Sequence, residues 1–403
     1  MISFKPSAQQ EMVKGLLHQF SATVLRPITL EVDRTKTFPD DLLLRMGQMR
    51  GAMPPGGGAA SEEYTGVERK EPQKGPSSSN RFTMVASEEL AWGDASLLLS
   101  LPGPGLGGPP VRFMGTPEQR EWFFAPFKTG GLHWGAYGLT EPGAGSDVSA
   151  IKTSCRRDGD GWILNGRKCF ITNGARADWV VIFATLDRSL GRAGHRAFVV
   201  EKGTPGFACG KIEEKMGLRA SETAELVLED CRVPHANLLG GDELYQRNEG
   251  FMGAMKTFDF SRPTVGIMAV GIARAAFETA REFVREHYLL ARPLPRYALI
   301  AALLADAERK IDAARLMCWR AAWLADEGLP NAKEASMAKA YAAKIAMQVC
   351  RDAVELLGAH GLEQSLLVEK WYRDIKVFDI FEGTAQIQRV VISKRILREP
   401  PSF

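Results

Sequence analysis

The sequence predicts an α+β protein with an N-terminal α-helical domain, a central β-domain and a C-terminal four-helix bundle. Two observations carry this. Apolar residues recur with helical spacing at the start of the chain and again after Met252, and between about Leu132 and Leu239 the period shortens to two. Helices followed by strands and then helices, without alternation, read as segregated layers and not as a doubly wound parallel sheet. The expected domains are 1–130, 131–240 and 241–403. A chain of 403 residues is long enough to bury a large core divided in this way.

The elements follow in order. Residues 7–50 read as helices, with Met12, Leu16, Leu17 and Phe20 close to one face. From Met53 to Arg81 the composition is that of a loop, as in Pro54-Pro55-Gly56-Gly57-Gly58. Helical sequence returns over Ser87–Leu101 and ends in a stretch rich in glycine and proline, Pro102 to Pro110. There Gly103, Gly105 and Gly108 match G-x-G-x-x-G, but the prolines that follow are expected to forbid the helix that would hold a pyrophosphate. Trp162–Thr172 reads as two strands about an Asn165-Gly166 turn. Val180–Ala184, Ala197–Val200 and Ala224–Leu228 add further strands. In the C-terminal third, Ile300, Leu303, Leu304, Ala307, Ile311, Ala314, Cys318 and Ala321 form one apolar helix face, stopped at Gly328 and Pro330. A second long helix runs from about Lys333 to Leu357 and stops at Gly358.

Composition excludes several function classes. A net charge of +3, from 51 basic and 48 acidic residues, leaves no nucleic-acid footprint. The six cysteines contain no C-x-x-C pair and read as reduced, packed thiols, with no metal site. No run of 18 apolar residues predicts a membrane span, and Met1–Pro6 has no apolar leader; the expected location is cytoplasmic.

Two segments carry chemistry. In Asp379–Arg389 a lone carboxylate, Glu382, stands between Ile380-Phe381 and Gly383 in sequence that otherwise reads as helix. A carboxylate packed by apolar neighbours has a raised pKa and suits a general base in a dry pocket. Gly383 allows a bend there. The second segment, Tyr137–Asp147, sets a strand end before a glycine-rich turn whose backbone N–H groups and hydroxyls can meet a polar ligand.

Together with Phe170-Ile171-Thr172-Asn173-Gly174 and Lys215–Ser221, these segments stand in the order and at the spacing of the acyl-CoA dehydrogenases, which the chain resembles over nearly its whole length. The resemblance implies FAD as cofactor and α,β-dehydrogenation of an acyl-CoA to the trans-2-enoyl-CoA, with electrons passed to an electron-transfer flavoprotein. Glu382 matches the base that removes the pro-R α-proton; Ser261 occupies the place of the alternative base and cannot serve. Tyr137, Leu139, Thr140, Gly145, Ser146, Phe170, Ile171, Thr172, Thr384 and Gln386 match flavin contacts. Ser146, Phe258, Asp259, Arg262, Phe381 and Gly383 match substrate contacts. The 101–110 stretch matches the acyl-pocket lining, although an irregular surface loop reads equally well. An acyl-CoA oxidase on the same fold, or a binding subunit without turnover, are the rival readings.

One departure concerns assembly. Where the family usually has Arg-x-x-Phe-Gly and then Gln, contacts to a neighbouring subunit's FAD, this chain has His287-Tyr288-Leu289-Leu290-Ala291 and Ala298, and Glu355 replaces another Gln. A carboxylate near a pyrophosphate is repulsive. The resemblance thus leaves two assemblies open: a homotetramer with rearranged contacts, or a heteromer with a paralogous subunit.

Overall fold

The Ser7 hydroxyl accepts the Gln10 N–H at 3.2 Å and the Gln10 amide oxygen accepts the Ser7 N–H at 2.8 Å, a capping box that starts the first helix. The computed structural model describes residues 4–52, 78–246, 250–288 and 298–398, with the side chains of 49–52 and 250–260 left aside. The N-terminal helices are α1 (Ala8–Phe20), α2 (Arg26–Thr35), α3 (Asp40–Ala52), α4 (Ser79–Ser100), α5 (Gly108–Met114) and α6 (Pro117–Phe124). The inner face of α1 is Gln10, Val13 and Leu17; Met12 and Leu16 are exposed. One residue of slip rotates a helix by about 100°, and α4 selects the face.

Helix α4 begins eight residues before the predicted Ser87. Its first turn is held from outside, since Asp326 accepts hydrogen bonds from Asn80 N at 2.9 Å and from Arg81 Nε at 2.8 Å. A carboxylate at a helix N-terminus satisfies orphan donors, but this one comes from a residue distant in sequence. The prolines at 109 and 110 do not forbid a helix. They lie in the first turn of α5, where a missing N–H costs no bond. The 101–110 stretch is also not a surface loop. Gly103 N donates to His133 O and Gly135 N to Gly103 O, at 2.7 and 2.9 Å, and residues 107–111 are buried.

The central sheet contains β1 (Gly135–Gly138), β2 (Ser154–Asp158), β3 (Gly161–Thr172), β4 (Trp179–Thr185), β5 (His195–Glu201), β6 (Phe207–Ile212) and β7 (Thr223–Pro234). Its order is β1-β4-β2-β3-β7-β6, with β5 paired to β4. Strand β4 is buried on both faces. Val180, Ile182 and Ala184 join the core beneath the N-terminal helices, while Trp179, Val181 and Phe183 join a second core with Val111, Phe123 and Phe124. Burial on both faces explains why this run shows no polar alternation. Asn165-Gly166 is not a hairpin turn. Residues 161–172 form one strand, and the pair sits at a bulge where Asn165 Oδ1 accepts the Asp230 N–H at 2.8 Å. The hairpin turn lies earlier, between β2 and β3.

The C-terminal part holds α7 (Gly241–Gln246), α8 (Gly250–His287), α9 (Ala298–Asp326), α10 (Ala332–Leu357), α11 (Leu367–Asp374) and α12 (Ala385–Ile396). Helices α8, α9 and α10 pack on one another, α4 lies along α8 and α12 along α10. The predicted stops at Gly328 and Gly358 have left-handed φ of 70° and 58°. None of the described helices is long and apolar enough to cross a membrane. Five cysteines are buried as expected for packed thiols, whereas Cys209 is exposed on the edge strand β6.

Buried ions join the layers. Arg274 on α8 reaches Glu88 at 2.9 Å and Glu89 at 2.6 Å on α4, and Arg315 on α9 reaches Glu88 at 2.9 Å. Nearer the sheet, Leu218 N donates to Asp374 Oδ1 at 2.6 Å, so the Lys215–Ser221 loop is pinned to α11. Gly217 makes that approach possible, because a Cβ there would collide with the Arg373 carbonyl. Gly217→Ala is therefore expected to destabilise the protein by roughly 1–3 kcal/mol, as overpacking does. Chemical denaturation checks it, and an unchanged midpoint would contradict this account.

Candidate active site

Asp379–Arg389 is not continuous helix. A single-turn 3-10 segment ends at Asp379, α12 starts at Ala385, and between them Glu382 and Gly383 take left-handed φ of 56° and 88°. A non-glycine residue in that region is strained and must be held by its surroundings. The holding atoms are identifiable. Gln388 Nε2 donates to the carbonyls of Glu382 and Gly383, each at 3.0 Å, and Lys339 Nζ donates to the Gly383 carbonyl at 2.7 Å. Thr384 caps α12 by accepting the Ile387 N–H at 3.3 Å. Gly383 has a φ of 88°, which side-chain-bearing residues rarely adopt, and a Cβ there would also push on Gln388 Nε2 at 2.6 Å.

The turn aims Glu382 at α8, where Ser261 Oγ donates to its Oε2 at 2.7 Å. Burial pushes the carboxyl above its ordinary value, opposed by the Ser261 hydrogen bond and the cations Arg262 and Lys339. The apolar packing differs from the sequence expectation: Ile380 is 52% exposed, and Phe381 packs edge-on against Phe378. The groups named around the carboxylate are Ser261 and Arg262 of α8, and its charge is felt on β1. There the phenol of Tyr137 is raised by burial and then by the charge of Glu382. Arg262 is buried beside this group; Phe258 and Asp259 lie on the same helix, but their side chains fall outside the described residues.

The 137–147 loop is anchored by a residue that the sequence reading left without a role. Glu141 is buried and accepts from Lys152 N at 2.6 Å, Thr153 N at 2.9 Å, Thr153 Oγ1 at 2.5 Å and Lys168 Nζ at 2.7 Å. Lys168 is fully buried and also reaches the Leu139 carbonyl at 3.3 Å. The Thr140 carbonyl accepts the Cys169 N–H at 3.0 Å, which binds the loop to β3. Leu139 is buried, Thr140 half-buried, and Gly145 and Ser146 exposed. On β3 one extra residue between Lys168 and Ile171 makes a bulge, and Phe170 emerges from it with φ 56° and 63% exposure. Ile171 is buried, and Thr172 is half-buried opposite Thr223.

A strained, exposed aromatic two residues before Thr172, on a strand that hydrogen-bonds the Thr140 carbonyl, offers a flat, polar-edged ring such as a flavin a face to lie on. The charge of Glu382 is felt at the Tyr137 phenol, whose ring packs on Phe183, and Gln386 is exposed on α12. Sequence reasoning missed Lys339, Gln388, Glu141 and Lys168. For Lys339 a signal exists: it shares the buried face of α10 with Ala335, Ala338, Ala342 and Ala346, where lysine is rare unless paired.

Comparison with known proteins defines the class. The N-terminal, middle and C-terminal domains of acyl-CoA dehydrogenase match residues 7–131, 136–231 and 248–397. The chain is 38% identical over 399 residues to the short-chain specific acyl-CoA dehydrogenase of Clostridium acetobutylicum, covering 98% of this chain and 100% of that protein. Among solved structures it resembles butyryl-CoA dehydrogenase from Megasphaera elsdenii, with 34% identity, a TM-score of 0.86 and coverage of 98% and 100% of the two chains. It also resembles a chain in the structure of the electron transferring flavoprotein of Acidaminococcus fermentans, with 38% identity, a TM-score of 0.86 and coverage of 99% and 100%. The chain belongs to the acyl-CoA dehydrogenase family. It is an acyl-CoA oxidoreductase with FAD as its cofactor.

The Glu141–Lys168 pair yields an expectation. Lys168→Met leaves Glu141 buried without its cation, which typically costs roughly 3–5 kcal/mol, and should loosen the 137–147 loop. The variant is expected to lose FAD on gel filtration; full retention would remove the pair from flavin binding.

Proposed function

We propose that this protein dehydrogenates an acyl-CoA thioester between Cα and Cβ to give the trans-2-enoyl-CoA, with Glu382 as the base. The observation that carries the reading is the Glu382 carboxylate, held in a left-handed turn and hydrogen-bonded by Ser261 Oγ at 2.7 Å. FAD, when bound, supplies the acceptor for the β-hydrogen, which leaves as hydride. Glu382 takes the α-proton, and its raised affinity for protons suits a weakly acidic C–H. Ser261 orients the carboxylate. Phe381 and Gly383 flank the thioester, and the Glu382 backbone N–H is the donor for the developing charge on the thioester oxygen. Thr140, Ser146, Phe170 and Thr172 position the flavin, with Tyr137, Leu139, Gly145, Ile171, Thr384 and Gln386 completing its site.

Because the base must be ionised and its pKa is raised, kcat/KM is expected to fall with decreasing pH along a limb above the ordinary glutamate value of about 4.3. A pH profile that stays flat down to that value would contradict the assignment.

The electron acceptor is proposed to be an electron-transfer flavoprotein in the cytoplasm. Support comes from the likeness to a chain in the Acidaminococcus fermentans electron transferring flavoprotein structure. Anaerobic bleaching of the bound flavin by a panel of acyl-CoAs tests the reaction and finds the acyl group. Peroxide formation exceeding reduction of a dye acceptor would favour an oxidase. For assembly, His287 is stacked on Phe283 with ring centroids 4.1 Å apart, its Nδ1 lies 3.0 Å from the Phe283 carbonyl, and Glu355 is exposed. Leu290 falls outside the described residues. Expression of the chain alone decides the assembly. One tightly bound FAD per chain in a tetramer means a homo-oligomer, whereas flavin gained only with a co-expressed paralogue means a heteromer.

A further inference from the structure

The Glu382–Gly383 turn is held by two side chains to which neither the sequence reading nor the cofactor contacts gave a role. Lys339 comes from α10 and Gln388 from α12, and both are fully buried. They converge on one carbonyl: Lys339 Nζ and Gln388 Nε2 both donate to Gly383 O, at 2.7 and 3.0 Å, and Gln388 Nε2 is shared with Glu382 O at 3.0 Å. Two adjacent residues with positive φ would otherwise relax toward ordinary backbone. Burying an ammonium is costly unless it is paired and hydrogen-bonded, yet α10 sets one against a neutral carbonyl in the turn that carries the base.

We propose that Lys339 and Gln388 are positioning residues for Glu382, gripping the two carbonyls of its left-handed turn so that the carboxylate and the Glu382 N–H are presented together to the substrate. This rests on Glu382 being the base. The charged and titratable groups around it are Arg262 from α8, Tyr137 from β1 and Lys339 from α10; Lys339 in turn faces Asp379, Glu382 and Arg262. Burial holds the Lys339 ammonium down to about 8, with Asp379 and Glu382 acting the other way. Its proton is therefore present through the neutral range and lost as pH rises through that value. The charge also favours the ionised form of Glu382.

Lys339→Met and Gln388→Leu, made in the full-length flavoprotein, separate the two contributions. Both are expected to lower kcat, by up to roughly 10²-fold if the carboxylate moves by about an ångström, with little change in KM. Only Lys339→Met should also move the acidic limb of the pH profile to higher pH and abolish an alkaline limb near 8. Hydrogen exchange of the 380–388 amides, read with and without flavin, should accelerate in both variants and stay unchanged elsewhere. Lys339→Met with wild-type kcat, an unmoved acidic limb and unchanged exchange would overturn the proposal. Should that variant not fold, Gln388→Leu decides through exchange and kcat alone. An active Glu382→Gln enzyme would instead remove the base assignment and leave the exchange result standing.

Discussion

Replacing Glu382 by glutamine is expected to lower the rate of flavin bleaching by acyl-CoA by roughly 10²–10⁴-fold, the range that a positioned general base contributes. Glutamine keeps the size of the side chain and can still accept from Ser261 Oγ, so the 2.7 Å contact and the turn survive. The backbone is held by Lys339 and Gln388, which do not touch the carboxylate. Flavin content and acyl-CoA affinity should therefore stay near those of the parent, and only proton removal should fail. Stopped-flow bleaching with a bound acyl-CoA measures this directly. Bleaching at the parental rate would take Glu382 out of the chemistry. Lost flavin together with lost rate would show a structural role instead.

Lys370→Met is expected to destabilise the protein strongly. Lys370 Nζ lies 2.5 Å from Asp374 Oδ2 and 3.2 Å from Asp94 Oδ2, and all three residues are buried. The two carboxylates hold the lysine protonated well above its ordinary range, against the effect of burial. Without the ammonium, Asp94 and Asp374 face each other unpaired in the interior, a loss of roughly 3–5 kcal/mol. Asp94 also bends α4, with φ −155° inside the helix, accepting from Thr29 Oγ1 and Ser96 N at 2.8 Å each. Asp374 pins Leu218. The damage should thus spread from α11 to α2, α4 and the 215–221 loop. Urea unfolding followed by tryptophan fluorescence and by circular dichroism is the measurement. Neutralising both partners as well, in Lys370→Met/Asp94→Asn/Asp374→Asn, should recover much of the loss, because the unpaired charges are then gone. A single variant within about 1 kcal/mol of the parent would show that the triad is not holding these layers together.

Much of the fold was legible in the sequence because it is local. The helical period of Ile300–Ala321, the stops at Gly328 and Gly358, and the β-branched runs of β4 and β5 each follow from a few consecutive residues. The local reading failed where a distant residue overrode it. Asp326 extends α4 back to Ser79, Asp230 turns Asn165-Gly166 into a bulge, and the face of α1 is chosen by α4. The prolines of α5 were misjudged for a different reason, their position in the first turn.

The same division holds for the site. By itself the sequence determined the order of the layers, the family, and the two segments richest in chemistry, since Glu382-Gly383 and Tyr137–Asp147 are contiguous strings whose chemistry is carried by residue type. Only the tertiary structure decided that Glu382 sits in a break and not in a helix, that Ser261 is its hydrogen-bond partner, and that the buried Lys339 and Lys168 bond the Gly383 turn and Glu141 of the 137–147 loop. The physical reason is that a hydrogen bond across more than 40 residues, as from Lys339 to Gly383, leaves no periodic trace along the chain. Its energy is local in space, and sequence periodicity records only what is local along the backbone.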